Sequence, residues 1–431
     1  MIEFRTPDPL LAQAEAVLRA NDVGGAYTKP SGRLYPHQWN WDSAFVTIGW
    51  AHIDWDRAVR EIDSLLAGQW TTGMLPHIRY NPDVTDYAPG PEWWTDVPVR
   101  RPGEVTSGIS QPLVVPTAVY VAGLLQPDPA RRLEWWARIF EPLRDAVAYF
   151  AEQRTVPGSP LIIIVHPWES GLDNSPHWDF AVRAGHRPSR PYRRVDTTLV
   201  AAEERPQRPD YDLYMYLVEL IARHGYDMRA YLSQTPFAVY GAMFNAIWYQ
   251  AAVDLNTIAA ALGRPPAVPS SALDEFRAAF AATLWNAGEE LFLDFDVQAG
   301  RQIPVAGAAG LTAIFAGLVN AEQAGRMLAR YVARSAGCWL LPSVPPDQDA
   351  FEPSRYHRGP VWVQTNWFIA RGLDELGLHS DARALADATV NLVRTNGFHE
   401  YFDARTGRGA GDGQFSWTAA LTLDLLRRPI S

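Results

Sequence analysis

The chain has 431 residues, of which 47% are hydrophobic, so it is long and apolar enough to bury a large core. Its net charge of −10 argues against a nucleic-acid-binding surface, and its single cysteine, Cys338, excludes an intrachain disulfide and a cysteine-based metal site. Residues 1–9 lack the apolar core of a signal peptide, and no apolar run is long enough to cross a membrane. We therefore expect a cytoplasmic protein that acts without membrane or nucleic-acid partners.

Helical periodicity dominates the chain from end to end. It predicts helices over residues 10–20, 41–53, 56–70, 111–125, 130–154, 237–262, 270–286, 321–334, 360–376, 382–395 and 415–428. Further apolar stripes at helical spacing run from Leu213 to Leu220 and from Leu311 to Leu318. The lack of βαβ alternation argues against a TIM barrel, and we find no fixed-period repeat that would indicate a solenoid. We predict an all-α fold, with consecutive helical hairpins closed into an (α/α)6 barrel that forms one domain over residues 1–431.

Three long, proline-rich polar segments interrupt the helices, at about residues 71–110, 156–210 and 339–359. Loops of this length in a compact domain are usually functional or disordered. Aromatic residues in all three segments favour order. We predict that these segments are insertions over the active-site face of the barrel.

Aromatic residues make up 12% of the chain, with 17 each of Trp, Tyr and Phe. Many tryptophans stand next to Asp, Glu, Asn or Gln, a composition that suits a cleft with flat apolar walls and polar edges. Sugar rings fit such a cleft, because their C–H faces stack on aromatic rings while their hydroxyls take polar contacts. The alternative is that these tryptophans simply belong to the core.

One segment concentrates candidate catalytic groups: His166-Pro-Trp-Glu-Ser-Gly-Leu-Asp-Asn-Ser-Pro-His-Trp-Asp179. It follows a strongly apolar run and is rich in turn-forming residues, so its carboxylates should lie on a loop that leaves a rigid element. Glycoside hydrolysis needs one protonated and one ionised carboxyl group. Asp173 is the candidate acid, because apolar neighbours such as Trp168 would raise its pKa. Glu169 is an alternative acid, and a simple capped turn is the non-catalytic alternative.

Glu400 is the candidate base for the same reaction. It lies in the aromatic-rich sequence Phe398-His-Glu-Tyr-Phe-Asp403, and we predict that it sits at a helix end after the stop signal Asn396-Gly397. Asp403 is an alternative base, and a surface charge at a helix end is the non-catalytic alternative. The histidines show no paired ligand spacing, so we expect neither a metal nor a cofactor.

Trp168-Glu-Ser-Gly-Leu-Asp-Asn-Ser175 resembles the general-acid loop of glycoside hydrolase family 63, and most of all its bacterial mannosylglycerate and glucosylglycerate hydrolases. Tyr35-Pro-His-Gln-Trp-Asn-Trp-Asp-Ser-Ala-Phe45 and the sequence around Glu400 match in the same order, so the resemblance spans nearly the whole chain. It implies an (α/α)6 barrel in which Asp173 is the acid and Glu400 the base. It also implies inversion at the anomeric carbon.

The resemblance further implies a set of substrate-binding residues. They are Tyr35, Trp39, Asp42, Tyr87, Gln111, Trp168, Gly171, Arg205, Tyr211, Tyr356, Trp362 and Gln414. Within this set, Tyr35, Trp39 and Asp42 would line the glycosyl subsite, although Asp42 could instead be a plain helix N-cap. Gln111, which we predict to open a helix, and Gln414, beside Glu400, could hold sugar hydroxyls, and Trp362 could form a wall.

Arg205 decides the predicted substrate class. A glycerate leaving group is a small anion, which suits an arginine together with the hydroxyls of Tyr87, Tyr211 and Tyr356. The alternative is that Arg205 only forms a salt bridge with one of the preceding acids, Glu203 or Glu204.

The predicted function is therefore an inverting α-glycosidase that hydrolyses 2-O-α-glucosyl- or 2-O-α-mannosyl-D-glycerate. The alternatives are an α-glucosidase of the same fold acting on neutral disaccharides or oligosaccharides, a glycosyl phosphorylase, and a non-catalytic sugar-binding protein. The sequence does not distinguish glucose from mannose. A homo-oligomer is compatible with it.

Overall fold

The computed structural model describes residues 8–95, 97–428 and 430. Residues 1–7, 96, 429 and 431 lie outside the described residues. The prediction about a signal peptide concerned residues 1–9, so most of it falls outside them. Within the described residues helices dominate and strands are only two to five residues long, so the predicted all-α class is confirmed. No helix in this part of the chain is long and apolar enough to cross a membrane.

Sixteen α-helices follow one another along the described residues. They are α1 (Pro9–Ala20), α2 (Asn40–Ala51), α3 (Trp55–Ala67), α4 (Val115–Leu124), α5 (Pro129–Gln153), α6 (Asp179–Val182), α7 (Asp196–Leu199), α8 (Arg208–Arg223), α9 (Met228–Tyr231), α10 (Ala242–Ala261), α11 (Ser270–Leu284), α12 (Thr312–Phe315), α13 (Ala321–Arg334), α14 (Val363–Glu375), α15 (His379–Asn396) and α16 (Ser416–Arg427).

Part of this set of helices forms a closed cycle of contacts. Helix α2 packs against α4, α4 against α10, α10 against α12, α12 against α14, α14 against α16, and α16 against α2. The other long helices pack on this cycle: α1 on α16, α3 on α2, α5 on α4 and α10, α11 on α10, and α15 on α14 and α16. The core therefore lies between an inner ring and an outer layer of helices.

The two layers differ in sequence, which explains their positions. In α2 every residue from Asn40 to Trp50 is buried, and α14 and α16 are buried almost throughout. A helix with apolar residues on all of its faces needs cover on every side, and its few polar residues are buried with them. By contrast, α13 buries Ala324, Met327, Leu328 and Tyr331, a single stripe at helical spacing, and leaves the rest half-buried or exposed. Helices of the first kind form the inner ring, and helices of the second kind cover it.

Short antiparallel strands connect the helices. They are β1 (Asp22–Val23), β2 (Tyr27–Thr28), β3 (Gln38–Trp39), β4 (Ile78–Arg79), β5 (Val239–Tyr240), β6 (Trp285–Asn286), β7 (Leu291–Phe292), β8 (Phe295–Asp296), β9 (Arg301–Gln302), β10 (His399–Phe402) and β11 (Gly409–Gly413). The pairs are β1–β2, β3–β4, β6–β7 and β10–β11, and β5, β8 and β9 form one three-stranded sheet. Strand β3 leads directly into α2, and the β10–β11 hairpin precedes α16.

Several predicted boundaries were wrong where a strand or turn replaced the end of a helix. The segment predicted as helix from residue 237 starts as β5, and the helix begins at Ala242. The stripe from residue 311 to 318 contains one short helix, because Gly317 adopts φ +58° and ends it. Gln111 does not open a helix, since α4 begins at Val115. Apolar periodicity marks which residues are buried, but it does not show where the backbone stops being helical.

Candidate active site

Two adjoining cavities lie near the N-terminal ends of inner-ring helices. The first, which we call the carboxylate cavity, has about 420 Å³ of empty space, counted together with its opening to solvent, and is lined by Asp42, Asp173 and Glu400. The second, the arginine cavity, occupies about 580 Å³ and contains Arg205. The residues that line both cavities are Tyr35, Trp39, His77, Asp173 and Tyr356. Asp173 thus stands where the two cavities meet.

Asp173 lies on a loop between two 3-10 turns, Pro167–Glu169 and Pro176–Trp178. The loop passes close to α2 at Gly171, which has φ +70°. A Cβ atom at this position would lie 2.6 Å from the ring of Trp41, so the backbone conformation and the space both require glycine. Tyr214 donates a hydrogen bond of 2.6 Å to the backbone carbonyl of Asp173, which fixes the loop from a neighbouring helix.

The surroundings of Asp173 suit a proton donor. Burial raises the pKa of its carboxyl to about 7, against an opposing effect from the positive charge of Arg205 and with a further rise from the negative charge of Glu400. A large fraction of Asp173 is therefore protonated at neutral pH.

Glu400 lies on β10, not at the end of a helix, so that part of the prediction was wrong. Helix α15 does stop at Asn396, with Gly397 at φ +87° as its cap, and the chain then turns into the β10–β11 hairpin. The strand register shifts between His399 and Tyr401, so Glu400 sits at a β-bulge. Bulges redirect side chains, and here the side chain of Glu400 faces the carboxylate cavity.

The carboxylate of Glu400 has three polar neighbours. Tyr35 donates a hydrogen bond of 2.7 Å to Oε1, the backbone N–H of Asp412 donates one of 3.3 Å to Oε2, and Arg205 Nη1 lies 3.5 Å from Oε1. Burial raises the pKa of Glu400, while Arg205, Tyr35 and the Asp412 N–H each oppose that rise. All three neighbours stabilise the ionised form, which is the form that a base requires.

Asp42 lies in the first turn of α2, whose N-cap is Trp39, so the N-cap interpretation of Asp42 was wrong. Its side chain is buried, and Oδ1 has no hydrogen-bond partner among the residues that the structure describes. Burial, together with the charge of Glu400, holds the pKa of Asp42 well above its usual value. A buried carboxyl oxygen without a partner is costly, and hydroxyl groups of a ligand in the carboxylate cavity could supply the missing hydrogen bond.

The alternative acid and base residues are occupied elsewhere. Glu169 is fully buried, forms an ion pair with Arg154, and accepts hydrogen bonds from the backbone N–H groups of Val165 at 2.8 Å and Ser110 at 3.2 Å. Asp403 Oδ1 accepts hydrogen bonds from the backbone N–H groups of Arg405 at 3.0 Å and Thr406 at 2.7 Å. Neither residue lines the two cavities. Both carboxylates therefore stabilise the backbone around them and do not face either cavity.

The arginine cavity brings together the residues predicted for the leaving group. They are Tyr87, Arg205, Tyr211 and Tyr356, and Trp168, predicted among the substrate-binding residues, lines this cavity as well. The alternative salt bridge of Arg205 with Glu203 or Glu204 is absent among the described residues. Arg205 Nε instead lies 3.3 Å from Asp196 Oδ2, and its guanidinium carbon lies 4.3 Å from the ring centre of Tyr356.

Among the remaining predicted residues, Gln111 lines the carboxylate cavity, and its Oε1 accepts a hydrogen bond of 3.1 Å from the backbone N–H of Trp41. Trp362 does not line either cavity: it is buried and stacks on His357, with ring centres 3.8 Å apart. Gln414 is exposed and lines neither cavity, and its backbone carbonyl accepts a hydrogen bond of 2.7 Å from Asn21.

Sequence reasoning missed several residues of the carboxylate cavity. These are Pro30, Trp41, His77, His357, Phe415 and Trp417. Four of them adjoin predicted residues in the chain, so the surrounding motifs could have included them: Trp41 precedes Asp42, His357 follows Tyr356, and Phe415 and Trp417 lie within three residues of Gln414. His77 carried no such signal. Burial lowers its pKa to about 3, so its ring is neutral at physiological pH.

The chain resembles known proteins along nearly its whole length. A family model described as the mannosylglycerate hydrolase MGH1-like glycoside hydrolase domain matches residues 35–418. The mannosylglycerate hydrolase of Rubrobacter radiotolerans is 38% identical, with 97% of each chain covered. The glucosylglycerate hydrolase of Mycolicibacterium hassiacum is 34% identical, with 98% of each chain covered. A crystal structure of the family 63 mannosylglycerate hydrolase from Thermus thermophilus in complex with Tris matches with a TM-score of 0.91 at 39% identity, covering 96% of this chain and 99% of that one.

The all-α fold and this match define the protein as a glycoside hydrolase. The chain belongs to glycoside hydrolase family 63, in the group that the mannosylglycerate hydrolase MGH1-like domain defines. The family resemblance predicted from the acid loop and the two flanking motifs is therefore confirmed.

Proposed function

We propose that this enzyme hydrolyses 2-O-α-mannosyl-D-glycerate, 2-O-α-glucosyl-D-glycerate or both, releasing the free sugar and D-glycerate with inversion at the anomeric carbon. Asp173 is the general acid and Glu400 the general base of this reaction. The single observation that carries the proposal is that these two carboxyl groups, from a loop and from a strand bulge far apart in the chain, line one cavity. The names of its relatives support the choice of substrates.

The chemistry follows from the different environments of the two carboxyl groups. Asp173, with a pKa raised to about 7, donates its proton to the glycosidic oxygen as the bond to the anomeric carbon breaks. A water molecule on the opposite face of the sugar attacks this carbon, and Glu400 takes its proton. Inversion requires a separation of roughly 6.5–9.5 Å between the two carboxyl groups, which leaves room for that water.

The glycosyl unit would occupy the carboxylate cavity. Asp42 has a buried oxygen free to bind sugar hydroxyls, and aromatic rings such as Trp41 and Trp417 provide flat apolar walls. Asp173 at the junction is then positioned at the glycosidic oxygen between the two cavities. The glycerate would lie in the arginine cavity, where Arg205 can bind its carboxylate and tyrosine hydroxyls its remaining oxygens.

We also propose that the closed cycle of inner helices with its outer layer is an (α/α)6 barrel forming a single domain. Six inner helices follow one another around the ring in chain order, α2, α4, α10, α12, α14 and α16, and outer helices alternate with them along the chain. The long segments that carry Tyr87, Asp173, Arg205 and Tyr356 would then be insertions over the face that holds the site.

Product analysis by ¹H NMR tests the proposal with both glycosylglycerates as substrates. The expected result is free sugar and D-glycerate, with the β-anomer of the sugar appearing first. Early appearance of the α-anomer would contradict inversion. Cleavage of neutral α-glucosides but of neither glycosylglycerate would favour the oligosaccharide alternative, and turnover that depends on added phosphate would favour a phosphorylase. Absence of turnover on all of these substrates would favour a sugar-binding protein.

A further inference from the structure

The charge balance of the arginine cavity depends on the ion pairs around one aspartate. Asp196 begins α7, is buried, and lines the cavity. Its Oδ2 lies 3.3 Å from Arg205 Nε, while Arg205 Nη1 lies 3.5 Å from Glu400 Oε1. A single arginine therefore faces two carboxylates. Without a further cation, the carboxylates would outnumber the cations here, and the excess negative charge would repel an anionic ligand.

Arg194 supplies that further cation. Its Nε donates a hydrogen bond of 3.0 Å to Asp196 Oδ1, and its Nη2 donates one of 2.7 Å to Asp196 Oδ2. Two-point pairs of this kind are the strongest that arginine forms with a carboxylate. The guanidinium carbon of Arg194 also lies 3.8 Å from the ring centre of Tyr211, which fixes its position from a second side.

Arg194 contacts residues of the arginine cavity without lining that cavity itself. It lines neither cavity, whereas its partner Asp196 and the ring of Tyr211 both line the arginine cavity. Arg205 keeps one group free: its Nη2 has no hydrogen-bond partner among the described residues, since its contacts with Asp196 and Glu400 use Nε and Nη1. The guanidinium of Arg205 is thus oriented by Asp196 without being fully occupied by it.

We propose that Arg194 is a positioning residue that sets specificity for an anionic leaving group: by neutralising Asp196, it removes a negative charge that would otherwise repel the carboxylate of glycerate and compete with it for Arg205. This inference rests on the proposed hydrolysis of glycosylglycerates and names a specificity determinant for it. The chain of ion pairs from Arg194 through Asp196 to Arg205 makes the leaving-group site selective for a negative charge. Tyrosine hydroxyls bind the other oxygens of the leaving group.

The test measures the inhibition constant of D-glycerate and the KM for glycosylglycerate in a set of variants. In Arg194→Gln, the unneutralised Asp196 competes for Arg205, so both constants should rise roughly tenfold while kcat changes little. Arg194→Lys retains the charge and should stay within about threefold of the wild type. Arg187→Gln is the matched control on the same segment, since the Arg187 side chain is 80% exposed and its ion pair is with Asp212.

A double variant separates charge from structure. Arg194→Gln combined with Asp196→Asn removes both charges, so binding of D-glycerate should return to within about threefold of the wild type even though the ion pair is gone. If Arg194→Gln alone does not fold, this neutral pair decides the question. The proposal is overturned if Arg194→Gln binds D-glycerate as the wild type does, or if the lysine and double variants lose as much as the single glutamine variant.

Failure of this inference can be told apart from failure of the proposed function. A wild-type enzyme that hydrolyses neither glycosylglycerate removes the proposed function and the inference with it. A wild-type enzyme that hydrolyses them, together with an Arg194→Gln variant of unchanged KM, removes the inference alone.

Discussion

At the scale of single residues, the candidate site places two carboxyl groups in different hydrogen-bonding surroundings. Burial raises the pKa of both carboxyls and the charge of Arg205 opposes the rise at both, but Glu400 also accepts hydrogen bonds from Tyr35 and a backbone N–H. This difference in environment fits the proposed roles of Asp173 as proton donor and Glu400 as proton acceptor.

The proposed roles of Asp173 and Glu400 predict different responses to the leaving group. Asp173→Asn should lower kcat on glycosylglycerate by roughly 10²–10⁴-fold, because the departing oxygen no longer receives a proton. On an α-glycosyl fluoride, whose leaving group needs no proton, the same variant should lose far less. Glu400→Gln should be inactive on both substrates, since each needs an activated water. Steady-state kinetics on the two substrates measures this, and an equal loss for Asp173→Asn on both would contradict its role as acid.

The raised pKa of Asp173 predicts the alkaline limit of activity. The acid must be protonated to act, so kcat/KM should fall as the pH rises past about 7, the pKa that burial gives this group. A pH profile of kcat/KM on glycosylglycerate measures this loss of activity at alkaline pH. Activity that stays constant well into the alkaline range would be incompatible with Asp173 as the proton donor.

Tyr35 should control the acidic limit. Its hydrogen bond of 2.7 Å to Glu400 lowers the pKa of that carboxyl, so Tyr35→Phe should raise this pKa and shift the acidic limb of kcat/KM to higher pH. Tyr401→Phe is a matched control, because the Tyr401 hydroxyl donates to the carbonyl of Glu204 instead. An acidic limb that moves equally in both variants would rule out the specific effect of Tyr35.

At the scale of secondary-structure elements, the site depends on a loop and a hairpin that are held in unusual conformations. The loop that carries Asp173 is anchored by Glu169, whose ion pair with Arg154 and two backbone hydrogen bonds tie the loop to its surroundings. The β10–β11 hairpin orients Glu400 through its bulge. Both elements need glycine where a side chain would collide with the site, Gly171 in the loop and Gly411 in the hairpin.

Gly411 provides a test of the hairpin. It has φ +69°, and a Cβ atom there would lie 2.8 Å from the Cβ of Glu400 and still closer to its carboxylate. Gly411→Ala should displace Glu400 and lower kcat by at least roughly tenfold, since misplacing a catalytic group by about 1 Å is costly. Enzyme assays and thermal unfolding together measure the effect.

Gly300→Ala is the matched control for Gly411→Ala. Gly300 has a similar φ of +65°, but a Cβ atom there meets nothing within 4 Å. Both variants should lose about 1 kcal/mol of stability from the left-handed backbone, while only Gly411→Ala should lose activity. Full activity of Gly411→Ala would show that the hairpin adjusts without moving Glu400.

At the scale of the whole molecule, a buried group of ion pairs that joins the inner helices lies apart from the candidate active site. Asp424 lies two turns beyond the start of α16 and is completely buried. It accepts hydrogen bonds from Trp367 Nε1 at 2.8 Å, Arg371 Nη2 at 2.7 Å and Arg428 Nε at 2.9 Å, and it contacts His52 Nε2 at 3.0 Å. This residue joins α14, α16 and the end of α2 away from the two cavities.

Asp424→Asn should therefore reduce stability without reducing activity. Breaking a buried ion pair leaves uncompensated charge and costs about 3–5 kcal/mol. We expect a clear fall in Tm, with kcat and KM on glycosylglycerate unchanged at low temperature. Asp56→Asn is the control, since the Asp56–Arg131 pair is exposed and pairs of that kind contribute at most about 1 kcal/mol. Equal Tm values for the two variants would contradict the proposed role of Asp424 in stability.

The sequence by itself determined the helical class, most helix positions, and the two candidate carboxyl groups. Helical periodicity is a local property, and a stop signal such as Asn396-Gly397 acts within one turn, so both can be read along the chain. The family resemblance supplied the remaining site residues. Most of these line one of the two cavities, with Trp362 and Gln414 as the exceptions.

Only the tertiary structure decided which charged side chains form ion pairs with each other. Glu400 leaves the helical pattern for a bulged strand, because pairing with β11 competes successfully with local propensity. Arg205 pairs with Asp196 and Glu400, not with its neighbours Glu203 and Glu204, and Glu169 is fixed by Arg154. Ion pairs in a buried site depend on distances across the fold, and spacing along the chain does not report those distances.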